Sequence, residues 1–158
     1  VLVFLWYFAA RWLREISPST KAPSMLLFFG IIGAVALIVY VTFLGTSGPI
    51  YEFMRRFGIY FYFLGTAVAQ LALAIALFRH AERSLKSLSV AMLVLCGAPF
   101  VLGILNVILK NTLPDPDFIE NRIEWISALL MQGYFVVLYV AWRRTGFRIS
   151  VKTGEPGR

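Results

Sequence analysis

Four long runs of apolar residues without a single charge constrain the fold of this chain more than any other feature. They cover residues 25–44, 57–78, 88–109 and 125–142. A helix needs about 20 consecutive apolar residues to cross the hydrocarbon core of a bilayer, and lipid cannot hydrogen-bond an exposed backbone. Continuous apolarity also disfavours the in-out alternation of barrel strands. We therefore predict an all-α fold, a polytopic transmembrane helical bundle.

The composition agrees with this prediction, because 59% of the 158 residues are hydrophobic and only 15% are charged. The opening stretch from Val1 to Ala10 is apolar but reaches Arg11 too early to cross a bilayer alone. We expect a truncated first helix at about residues 1–13 and six helices in the full protein. The other four helices are expected at about residues 24–45, 57–79, 87–109 and 119–142. The bundle would then span residues 1–142, and residues 143–158 would form a basic tail.

The basic residues alternate between the two sides of the predicted bundle. Eleven fall in the first connection, the third connection and the tail, whereas four fall in the other two connections. Because Lys and Arg accumulate in loops that stay cytoplasmic, the carboxyl terminus is expected in the cytoplasm. The membrane would be the plasma (inner) membrane in a bacterium and an endomembrane in a eukaryote. The net charge of +7 then reflects topology and attraction to anionic lipid, not nucleic-acid binding.

Small residues four positions apart predict close helix packing, because short side chains let backbones approach in lipid. Four such pairs occur on three of the helices. They are Gly30 and Ala34, Gly65 and Ala69, Ala72 and Ala76, and Pro99 and Gly103.

Polar side chains inside the helices or at their edges are the candidates for function. An ionisable group at membrane depth is by default a functional candidate, because leaving it exposed to lipid is energetically costly. The candidate lipid-binding or partner-binding residues are Glu124, Asn121, Asn106, Glu52, Arg55, Arg56, Trp125, Gln70 and Gln132. We expect most of them to line a polar groove on the external side. In the alternative interpretation, Glu124 lies in the headgroup zone, favours the positive helix end and pairs with a nearby arginine.

Resident cofactors and catalytic groups are not indicated by the sequence. One histidine, His80, disfavours bis-histidine haem, and a single cysteine, Cys96, gives no basis for structural zinc or an iron–sulfur cluster. The leading hypothesis is a non-catalytic membrane protein that binds or organises lipid or scaffolds a partner. Two alternatives stay open: an accessory subunit of a larger membrane complex, and a lipid-modifying enzyme with Glu124 as acid or base.

Two segments resemble a known family. The stretch from Phe118 to Ala128, with its Glu124–Trp125 pair, resembles the last helix of the damage-regulated autophagy modulator superfamily. The stretches 41–44 and 57–63 are similar to the third and fourth helices of that family. The resemblance implies six helices and a eukaryotic endomembrane protein or a bacterial relative. It also implies a link to lipid organisation or to GPI-anchor lipid remodelling.

Overall fold

The computed structural model describes residues 1–45, 47–110 and 116–148, with the backbone alone for residue 110 and residues 116–121. It confirms the all-α fold, since five helices make up nearly all of the described chain. They are α1 (Leu2–Ile16), α2 (Ala22–Thr42), α3 (Pro49–His80), α4 (Arg83–Lys110) and α5 (Pro116–Arg144). Four of them, α2 to α5, are long and apolar enough to cross a membrane. The chain is therefore an integral membrane protein.

Helix α3 begins at Pro49 instead of near residue 57, where the sequence places its start. The charged residues Glu52, Arg55 and Arg56 mark the end of an apolar run, but they do not interrupt the helix. Pro49 lies in its first turn, where a proline costs no hydrogen bond. At about 1.5 Å per residue, the 32-residue helix is longer than the hydrocarbon core is thick. Its first two turns therefore carry the charged residues beyond that core.

Helices α2 and α3 pack closely at glycines. A Cβ atom on Gly65 would lie 2.8 Å from the backbone nitrogen of Gly33 and 2.8 Å from the carbonyl oxygen of Phe29. The predicted role of Gly65 is thus confirmed, with Gly33 as its partner. The prediction is wrong for Gly103 of α4, because a Cβ atom there would meet nothing within 4 Å.

One face of helix α1 is buried deep in the bundle, although the helix is only 15 residues long. Trp6 is fully buried and covers Gly30 of α2, and its ring lies 5.6 Å from that of Phe135 in α5. One and a half turns later, Trp12 donates a hydrogen bond from Nε1 to Oγ1 of Thr145, at 3.0 Å. These two tryptophans join α1 to α2 and to the α5 segment.

The helix ends that carry most of the basic residues lie together. The Trp12–Thr145 bond joins the end of α1 to the end of α5, and Arg144 donates from Nη1 to the carbonyl oxygen of Ser84 at the start of α4. We call this the basic end of the bundle. Its basic residues with described side chains are Arg11, Arg14, Lys21, Arg79, Arg83, Lys86, Arg143, Arg144 and Arg148. The other end is called the opposite end.

Candidate functional site

Most of the polar residues predicted to form a groove lie toward the opposite end. Glu52, Arg55 and Arg56 are in the first two turns of α3, Asn106 is near the end of α4, and Glu124 and Trp125 are in the first half of α5. Arg55 and Asn106 are partly buried, whereas Glu52, Arg56, Glu124 and Trp125 are exposed. The side chain of Asn121 lies outside the described residues.

No ion pair joins Glu124 to Arg55 or Arg56 in the part of the chain whose side chains are described. The single groove built from all these residues therefore stays a prediction.

Gln70 holds two helices together in the interior. Its side chain is completely buried, and Nε2 donates to the carbonyl oxygen of Met131 at 3.2 Å. In return, the hydroxyl of Tyr134 donates to the carbonyl oxygen of Gln70 at 2.7 Å. Polar side chains that bond across helices are a usual stabilising device in lipid. Gln70 thus acts as a bridge between α3 and α5.

A second bridge between the same helices lies nearer the opposite end, where the side chains of Tyr62 and Gln132 are hydrogen-bonded. Residues seven apart share a helix face, so Arg55 lies on the same face of α3 as Tyr62. Trp125 lies on the same face of α5 as Gln132 for the same reason, and it is 77% exposed. Helical spacing therefore puts Arg55 and Trp125 on the faces of α3 and α5 that carry the Tyr62–Gln132 bond, each about two turns nearer the opposite end.

Two buried oxygens near these bridges have no hydrogen-bond partner among the described residues. They are Oε1 of Gln70 and Oγ1 of Thr66. Thr66 faces Gly33, and a Cβ atom on Gly33 would lie 3.0 Å from its Oγ1. Gln70 and Thr66 place unused acceptors in an otherwise apolar interior, where such groups are energetically unfavourable.

A groove of about 340 Å³ lies on the surface between α2 and α3, in the halves of these helices nearer the opposite end. Its walls are large apolar side chains and its floor is formed by small residues. The lining residues are Ile31, Ile32, Val35, Ala36, Val39, Met54, Phe57, Gly58 and Phe61. The backbones approach closely at this floor, because a Cβ atom on Gly58 would lie 2.8 Å from the backbone nitrogen of Tyr40.

Sequence reasoning missed this groove, because all of its residues read as ordinary membrane-helix residues. A signal does exist in the sequence. Ala36 and Gly58 are small, and each has larger residues four positions away on both sides. Only the pairing of α2 with α3 brings the two small residues into the lining of one groove.

Metal ligands do not gather in the described part of the chain, where no three His, Cys, Asp or Glu side chains come together. Cys96 is buried, and its Sγ atom contacts the carbonyl oxygen of Ala67 at 3.5 Å.

No protein-family model matches this chain, and neither curated proteins nor solved structures give a significant match.

Proposed function

We propose that this integral membrane protein binds a lipid and holds its hydrocarbon part in the groove between α2 and α3. The observation that carries the proposal is the groove itself, with a volume of about 340 Å³ and a lining of apolar side chains. Ligand sites in proteins occupy roughly 300 to 1,000 Å³ and are mostly apolar.

The close contact of the two helices below the groove supports binding of an ordered chain. Gly58 and Gly65 hold α3 against the backbone of α2, so the walls do not have to form when a ligand enters. A preformed site avoids part of the ordering cost of binding. A hydrocarbon chain in a groove also touches protein on several sides, and the many weak contacts add up.

The decisive experiment is a substitution that fills the groove with a larger side chain. Val35 lines the groove and is 51% exposed, so Val35→Trp would occupy the space without disturbing the core. Val94→Trp on α4, at a site 62% exposed and outside the groove, is the matched control. Native mass spectrometry and crosslinking to a lipid with a photoreactive acyl chain would measure binding. We expect loss of retained lipid and of crosslinks for Val35→Trp alone.

Equal retention by both variants would overturn the proposal. Retention of a copurifying protein instead of lipid would favour the accessory-subunit alternative.

We further propose that the polar residues toward the opposite end contact a lipid headgroup. By helical spacing, Arg55 shares a face of α3 with Tyr62, whose side chain is hydrogen-bonded to that of Gln132 in α5. An arginine binds phosphate through several parallel hydrogen bonds. The double variant Arg55→Ala/Glu124→Ala should lower retention of phospholipid. Unchanged retention would show that these polar residues do not bind the headgroup. The proposal that the groove binds a hydrocarbon chain would still stand.

The orientation and the family are part of the same proposal. We propose a cytoplasmic basic end, supported by the eleven basic residues on that side in the sequence. Single cysteines at exposed Ser87 and Ser47 would test it, since an impermeant thiol reagent added to intact cells should label Ser47→Cys alone. Labelling of Ser87→Cys alone would show the opposite orientation.

Membership of the damage-regulated autophagy modulator superfamily stays a proposal resting on the segments that resemble it.

A further inference from the structure

A second cavity lies at the basic end, far from the groove. It has a volume of about 280 Å³ and is lined by Tyr139, Val140, Arg143 and Arg144. These residues follow each other at helical spacing on one face of α5. The opposite face of the same turns carries the buried residues Leu138 and Ala141. The cavity therefore faces outward, toward the lipid and the membrane surface.

The two arginines are not needed to cap the end of α5. The backbone nitrogen of Phe147 bonds the carbonyl oxygen of Trp142 at 3.1 Å, and that of Gly146 bonds the carbonyl oxygen of Arg143 at 3.3 Å. This is the Schellman arrangement, in which a glycine with positive φ closes the helix; Gly146 has φ 65°. The last carbonyl groups are thus satisfied by the backbone itself.

Most of the hydrogen-bond donors of the two guanidinium groups remain available. Each group has five N–H donors, and Arg144 uses one in a long contact of 3.5 Å with the carbonyl oxygen of Ser84. Neither arginine forms an ion pair with a carboxylate among the described residues. Two adjacent guanidinium groups with unused donors form a site for an oxyanion such as phosphate.

The surroundings of the cavity match the layers of a phospholipid. Tyr139 is an aromatic residue at the level where tyrosines mark the membrane interface. One turn deeper on the same face is Val136, which is 64% exposed and apolar. A phosphate between Arg143 and Arg144 would therefore have its glycerol beside Tyr139 and its acyl chains along Val136.

We propose that this cavity binds an anionic phospholipid through its phosphodiester group. A zwitterionic lipid would bring a cationic headgroup to an end of the bundle that is already strongly basic, so the anionic lipid is preferred. The site is separate from the groove between α2 and α3 and does not depend on it.

The test compares two variants that remove the same charge from the same end. Arg143→Gln/Arg144→Gln removes the site, and Arg11→Gln/Arg14→Gln removes two exposed arginines of α1. Each protein is placed in nanodiscs of phosphatidylcholine with a minority of phosphatidylglycerol. Native mass spectrometry then measures which lipid stays bound. We expect the first variant to lose preference for phosphatidylglycerol by about 30-fold and the second to keep it.

Equal losses in the two variants would overturn the proposal, because they would show a general effect of surface charge. Release of phosphatidylglycerol by millimolar inorganic phosphate would also overturn it, since the site would then hold a free anion. The single variant Arg143→Gln, at an exposed side chain, keeps the test valid if the double variant does not fold, and it should lose part of the preference. Val94→Trp, which lies outside both the groove and this cavity, should leave this preference unchanged.

Discussion

The two ends of the bundle are built differently. Near the basic end, α1 fills the space between α2, α3 and α5, and the buried core consists of residues such as Trp12, Leu73, Leu77 and Leu138. Toward the opposite end, α3 touches α2 closely at Gly58, but long stretches of α4 and α5 remain exposed. Exposed side chains there include Val101, Ile104, Trp125 and Leu129.

This difference separates the stability of the buried core from binding in the groove. A well-packed core resists change because each buried side chain has many neighbours. A looser region offers concave surfaces and polar groups to ligands. The groove and the residues Arg55 and Gln132 lie in the looser half. We therefore expect substitutions in the packed half to lower stability most, and substitutions in the looser half to change lipid binding instead.

The largest expected effect comes from Trp6→Ala. Trp6 is completely buried against Gly30 and Phe135, and truncation of a buried aromatic residue costs about 3 kcal/mol or more. The control is Phe4→Ala in the same helix, where the side chain is 66% exposed and lipid can replace it. Thermal unfolding in detergent micelles measures both. Similar losses for the two variants would show that α1 does not anchor the packed half.

A smaller effect is expected for Gly65→Ala. Its new Cβ atom would lie 2.8 Å from backbone atoms of α2, and overpacking of this kind costs about 1–3 kcal/mol. Gly103→Ala adds the same methyl group where nothing lies within 4 Å. The control should be as stable as the parent protein, or slightly more so, because alanine favours the helix. Equal stability of Gly65→Ala and Gly103→Ala would contradict the close contact of α2 and α3.

The smallest effect is expected for Tyr134→Phe, which removes the hydroxyl group that bonds the carbonyl oxygen of Gln70. Hydrogen bonds between membrane helices average about 0.6 kcal/mol, so the loss of stability should be of that size. Tyr7→Phe, at a half-exposed tyrosine of α1, should change nothing measurable. A loss above about 2 kcal/mol would mean that the α3–α5 bridge, and not α1, holds the packed half together.

The membrane helices could be predicted from the sequence because the signal is local. A run such as residues 88–109 shows its length and apolarity without reference to any other part of the chain. Their ends were less predictable, as Pro49 illustrates, because a charge can end an apolar run while the helix continues. Length and composition report the position of the bilayer core and not the last hydrogen-bonded turn.

The candidate site was only partly predictable. Polarity singled out Gln70 and Gln132, and the structure places both at contacts between α3 and α5. Polarity in the sequence did not indicate Tyr62 or Tyr134 as the partners of these glutamines, since tyrosine is common in membrane helices. The groove and the cavity at Arg143 escaped notice because each depends on which helix faces lie inward.

The sequence by itself thus determined that the chain is an all-α membrane protein with four apolar helices that can cross a membrane. This follows from the free energy of placing each segment in hydrocarbon, a property of the segment alone. The tertiary structure decided that one face of α1 lies in the core, that Gly65 meets Gly33 while Gly103 faces outward, and where the groove between α2 and α3 lies. In lipid these choices depend on shape and on hydrogen bonds between helices, because apolar surfaces gain little from leaving an apolar solvent.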